Sequence, residues 1–157
     1  MKIGVALRLG DDAGELFADA RALESAGVDA LWALDNADDD HPLLLAAVAA
    51  VTWRVRLVCV EAPEEVSLRT LERLSRGRFV IADERGDAFT LATAEGERER
   101  WMRADFPKDR AAWKAVRAER EAEGVAGLVL QNDPRLLDLL RNPDTEDDRS
   151  DIKLAFG

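Results

Sequence analysis

The chain has 157 residues, 47% hydrophobic and 34% charged, with 32 acidic residues against 22 basic ones and a formal net charge of −10. That length suits one domain with a real core and falls short of the about 250 residues of a complete eight-unit (β/α) barrel. The acidic balance argues against a nucleic-acid or anionic-membrane surface, since both require clustered Lys and Arg.

Met1 to Val5 begin a strand at once, so no cationic and then apolar signal peptide is expected ahead of it. The run Ile3 to Leu9 is the first strand. Asp12 then stands three residues before Glu15, a variant of the capping box. Leu16, Phe17, Ala20 and Leu23 follow at helical spacing until Gly27 stops the helix. The second strand, Ala30 to Leu34, lacks polar alternation, as a parallel strand covered on both faces should. After the acidic loop Asp35 to Asp40, Pro42 occupies a first helical position and Leu43 to Thr52 forms a nearly all-apolar helix. The apolar run Leu43 to Val51 is well below the roughly 18 residues of a spanning helix and reads as buried.

Val55 to Val60 is the third strand, and it contains Cys59, the only cysteine. One cysteine excludes an internal disulfide, which fits a reducing, cytoplasmic home. Pro63 opens a third helix with Val66, Leu68, Leu71 and Leu74 on one side and Gly77 at its end, and Phe79 to Ala82 is the fourth strand. There the alternation breaks. Phe89 to Thr93 and Arg98 to Arg103 flank the turn signal Glu95-Gly96 and read as an antiparallel hairpin near residues 88–104. Pro107 begins a long helix to Glu123 with Ala112, Trp113, Val116 and Arg120 along one face. Leu128 to Leu130 is a last strand, and Asp133-Pro134 caps a final helix, Leu136 to Leu140, that Asn142-Pro143 terminates. The acidic tail from Asp144 to Asp151 completes a single domain, 1–157, of about six strands and five helices.

Strands alternating with helices imply a mostly parallel sheet, whose carboxyl ends form the functional face. Asp11, Asp35, Asn36, Glu61, Asp83, Glu84, Asn132 and Asp133 all fall just past strand ends. Gathered there, Asp35, Glu61, Asp83 and Glu84 would raise one another's pKa or recruit a cation such as Mg²⁺; dispersed, each caps a helix or sits in solvent. Arg8 and Arg85 either hold an anionic phosphate or pair with those carboxylates. His41, the only histidine, reads as a helix-start residue beside Pro42, and no metal site can be built from His. Cys59, inside a strand, reads as an inert buried thiol.

Three segments resemble the luciferase-like monooxygenase superfamily: Leu23 to Trp32 (LESAGVDALW), Arg54 to Leu57 (RVRL) and Leu71 to Val80 (LERLSRGRFV). The resemblance implies an α/β fold, a truncated or partial (β/α) barrel derived from that TIM-barrel family. It also implies an oxidoreductase or monooxygenase that uses FMN or a deazaflavin coenzyme. Candidate coenzyme-binding positions are then Arg8, Asp35, Asn36, Glu61, Asp83, Glu84 and Arg85. The family often carries an acidic residue followed by His after the second strand, where this chain has Asp35-Asn36, and by this resemblance one hairpin and one helix stand in place of the middle barrel units. A non-catalytic relative that binds a small ligand or self-associates is therefore the alternative. Trp32 is expected in the core. Trp101 and Trp113, on the substituted half, are expected to cover an exposed edge by homodimerisation.

Overall fold

The computed structural model describes residues 1–8, 12–34, 40–60, 62–93 and 95–141. Seven strands and five helices occur among them: β1 (Lys2–Leu7), α1 (Ala13–Ser25), β2 (Ala30–Ala33), α2 (His41–Val51), β3 (Arg56–Cys59), α3 (Glu65–Ser75), β4 (Phe79–Arg85), β5 (Ala88–Ala92), β6 (Arg98–Arg103), α4 (Arg110–Ala122), β7 (Gly127–Gln131) and α5 (Leu136–Arg141). The strands close into one barrel in sequence order, β1 pairing with β7 in parallel. All neighbouring pairs are parallel except β4–β5 and β5–β6, so β5 alone runs against the rest.

This closure corrects the expectation of a partial barrel with an antiparallel edge. The hairpin does not lie at a margin; β6 runs parallel to β7 and completes the ring, which removes the free edges. The reason offered for a homodimer goes with them. Trp101 is fully buried in the barrel interior and Trp113 is only 3% exposed, packed in the outer layer, so neither covers an interface. Trp32 is buried as expected.

Local signals explain most of the elements. The Asp12 carboxylate accepts a hydrogen bond from Gly14 N at 2.7 Å and starts α1, whose Leu16, Ala20 and Leu23 are buried. Gly27, at φ 88°, turns the chain into β2. Asp40 caps α2 through Leu43 N at 3.0 Å, and Asp109 caps α4 through Ala112 N at 2.7 Å. The α4 helix thus begins at Arg110, not at Pro107. In α3 the expected apolar side is only partly used: Leu71 is buried, whereas Val66 and Leu74 are exposed. The Arg78 guanidinium bonds Ala49 O, Thr52 O, Thr52 Oγ1 and Val55 O at 2.9–3.2 Å. It thereby holds the end of α2 and the turn into β3 against the start of β4.

Two apolar layers result, because alternate strand residues face opposite sides of the barrel wall. Outward residues such as Val5, Leu31, Leu57 and Leu128 pack under the helices. Inward residues fill the interior: Ala6, Ala30, Trp32, Val58, Ala82, Phe89, Leu91, Trp101 and Val129 among them. The interior works by pairing large with small. Trp32 lies 4.9 Å from Phe89 and 5.6 Å from Trp101, centroid to centroid. Beside the indoles stand residues without a Cβ. One built on Gly4 would sit 2.3 Å from Trp32 Nε1, and one on Gly127 would sit 2.4 Å from Trp101 Cε3. Glycine in β1 and β7 is thus the condition for three large rings to share one narrow barrel.

Candidate functional site

The two ends of the barrel differ in chemistry. At the amino end, Glu99 enters from β6 and meets Lys2 of β1 and Arg56 of β3, the latter at 3.0 Å, while Trp101 Nε1 donates to it at 3.0 Å. Burial pushes the Glu99 carboxyl up. The hydrogen bonds from Lys2, Trp101 and Arg56, with the Arg56 charge, outweigh burial and hold it below the usual range. Nearby, Glu24 of α1 accepts three backbone N–H groups, from Trp53, Arg54 and Val55 at 2.6–3.0 Å. Burial again opposes ionisation, and the Arg54, Val55 and Trp53 bonds with the Arg54 charge bring this carboxyl below its ordinary value. A depression of about 500 Å³ opens beside these residues. Both carboxylates are consumed in tying strands and turns together, as expected at the stability face of a parallel barrel.

The carboxyl end carries the sequence-derived candidates, and the structure treats them differently. Arg8 is exposed just past β1, in register with the inward Ala6. The sequence places Asp83 and Glu84 just past a strand ending at Ala82, either gathered with the other carboxylates or dispersed. Instead β4 continues to Arg85 and pairs with β5, Asp83 opposite Thr90 and Glu84 opposite Phe89. Neighbouring strand residues face opposite sides, so Glu84 shares the inward phase of Ala82 and Phe89 while Asp83 faces outward. The two carboxylates do not converge. Glu84 accepts from Arg103 of β6 at 3.2 Å, across Phe89, whose ring lies 5.5 Å from the guanidinium carbon. Arg85 is exposed at the tip of the β4–β5 hairpin. Asp11, Asp35, Asn36 and Glu61 lie outside the described residues, as do Leu9, Asn142-Pro143 and the acidic tail.

Asn132 and Asp133 are occupied locally. Asn132 Nδ2 donates to Asp19 at 2.7 Å, and Asp133 binds Arg135 through both carboxylate oxygens. Side-chain and backbone hydrogen bonds from Arg135 hold the Asp133 carboxyl down at about 2. His41 is the first residue of α2, and Cys59 is buried in β3. Among the described residues, no group of three or more His, Cys, Asp or Glu side chains could hold a metal ion. No helix among them is long and apolar enough to cross a membrane.

Arg103 was missed by sequence reasoning. The signal was present in the alternation Glu99, Trp101, Arg103, three residues of one strand phase, which puts all three on the inner face once Trp101 is inside. The described rim therefore carries the cations Arg8 and Arg103 and the carboxylate Glu84 above Leu34, Ala82 and Phe89, which are themselves buried in the barrel interior. The cations of such a rim suit a ligand that carries an anionic group.

No protein-family model matches the chain, and no curated protein matches it either. Among solved structures it is similar to the monooxygenase RslO1 from Streptomyces bottropensis, at 26% sequence identity and a TM-score of 0.42, over 52% of this chain and 32% of that one. The chain thus aligns with about a third of that protein's length, too loosely to carry either fold or activity across.

Proposed function

We propose that this chain is a shortened relative of the luciferase-like flavin- and deazaflavin-dependent oxidoreductases, with its coenzyme bound at the carboxyl end of the barrel. The observation that carries this reading is where the three resembling segments fall. They lie on α1–β2, on the turn into β3 with its first residues, and on α3–β4, and those strands are consecutive parallel neighbours. Motifs in the right order on adjacent units are what descent from such a barrel would leave.

The rim residues fit a flavin. Arg8 and Arg103 supply cations for a coenzyme phosphate. The coenzyme, when bound, supplies the redox chemistry, and the rim residues of the chain orient it. A ligand-binding protein without turnover is the second reading, and Asn36 favours it, since it stands where the family often carries histidine. A carboxamide does not titrate near neutral pH and so cannot take the part of a general acid or base.

Titration of the purified protein with FMN and with the deazaflavin coenzyme tests the proposal. Binding at a hundred times Kd stabilises by about 2.7 kcal/mol, a rise in Tm of about 5–10 °C for a chain of this size. Coenzyme fluorescence should change in parallel. No response in either signal at about 1 mM, which corresponds to about 4 kcal/mol of binding, overturns the coenzyme reading. Binding without reduction of the coenzyme by any nicotinamide or substrate donor selects the second reading.

A further inference from the structure

Among the described residues, three of the five exposed large apolar side chains, Leu43, Val66 and Leu74, lie on helices; Trp53 lies in a turn and Ile81 on β4. The α2 sequence HPLLLAAVAAV has apolar residues on every face, yet its third residue, Leu43, is 67% exposed, and Val66 at the start of α3 is 68% exposed. Leu43 is flanked by two crevices. One, of about 220 Å³, lies between α2 and α3 and includes Ala46, Val66 and Leu71; the other, of about 160 Å³, lies between α1 and α2 and includes Leu16, Phe17 and Ala47. Asp40 lines both. The helices α1, α2 and α3 follow parallel strands, so their first turns lie side by side at one end of the molecule. Those turns carry Asp12 and Glu15, Asp40, and Glu64 and Glu65, around a central strip without charge. Arg69, bridged to Glu65 at 3.7 Å, is the nearest cation along α3.

We propose that this strip docks a cationic amphipathic helix from another protein. Its apolar residues would seat beside Leu43 and in the two crevices, and its Lys or Arg would face Asp40, Asp12 and Glu64. Charge decides between occupants. A second copy would bring the same carboxylates to the strip and a further formal charge of −10, so like charges would meet around the apolar contact. A basic helix meets the apolar strip and the acidic surround together.

The probe is a fluorescein-labelled synthetic peptide of Leu and Lys at amphipathic helical spacing, compared with its Leu–Glu counterpart by fluorescence anisotropy. The Lys peptide should bind, and binding should weaken as salt rises. Leu43→Asn should weaken it at least about tenfold, by removing the central apolar contact. Asp40→Asn, which keeps a residue able to cap α2, should weaken it about two- to fivefold and flatten the salt dependence. Unchanged melting of both variants shows that the fold is intact, since Leu43 is exposed. The proposal is overturned if neither peptide binds, if the Glu peptide binds as well, or if Leu43→Asn leaves the affinity alone. It is also overturned if light scattering shows a dimer that Leu43→Asn dissociates, because a second copy then covers the strip.

Discussion

Gly127→Ala should destabilise this barrel even though alanine is ordinarily the better strand residue. The new methyl carbon would lie 2.4–2.6 Å from Cε3, Cδ2 and Cζ3 of Trp101, well inside van der Waals contact. The indole has little room to move away. Its Nε1 is bonded to Glu99 at 3.0 Å, Trp32 lies 5.6 Å away, and the Arg56 guanidinium stacks 5.3 Å from the ring centre. Overpacking of this kind costs about 1–3 kcal/mol, and replacing glycine returns about 0.4–1 kcal/mol through the unfolded chain. The net expectation is a loss of about 1–2 kcal/mol, or about 2–8 °C in Tm by calorimetry or circular dichroism. Trp101→Phe, which removes the fused ring, should make the same glycine substitution nearly neutral. The double mutant should then cost about 1 kcal/mol less than the sum of the single ones. A stabilised Gly127→Ala protein, or strictly additive costs, would refute the large-with-small packing described for the interior.

Three further outcomes follow from the ends of the barrel. Glu99→Gln should cost about 1–3 kcal/mol in chemical denaturation, because Lys2, Arg56 and Trp101 lose a shared anion. The Glu99 carboxyl is held below its unfolded value, so its contribution is complete above the unfolded pKa and is lost as pH falls through the folded one; the stability difference between wild type and Glu99→Gln should shrink in that acid range and be flat above it. Glu24→Ala should leave three backbone N–H groups at residues 53–55 without their acceptor and cost about 1–3 kcal/mol, with faster amide exchange in that turn. Arg78→Lys should not be conservative: a single ammonium cannot span four oxygens on two elements, and a loss of about 1–2 kcal/mol in urea unfolding is expected.

Much of the architecture was legible in the sequence because the signals were local. The Asp12 cap, the Leu16–Ala20–Leu23 stripe, Gly27 and the Glu95-Gly96 turn act within a few residues of themselves, and each element they imply is present. Closure was not legible, because pairing β6 with β7 and β7 with β1 is a long-range event that leaves no periodic trace in any one strand. The end of β4 was misjudged for a related reason. Asp83-Glu84-Arg85 has no apolar alternation, and only pairing with β5 reveals it as strand. Of the two readings left open for Asp83 and Glu84, gathered or dispersed, the pleat leaves the dispersed one, since it separates them. The misjudged end of β4 also hid Arg103, which reads as one more charged hairpin residue until Trp101 is known to point inward.

The claim that the carboxyl end of the barrel is the ligand face is tested most directly by ¹H–¹⁵N correlation spectra during an FMN titration. The account predicts shifts at Arg8, Glu84, Phe89 and Arg103, with the amides around Glu24 and Glu99 undisturbed. Shifts confined to the amino end, around Lys2, Arg54 and Arg56, would contradict it.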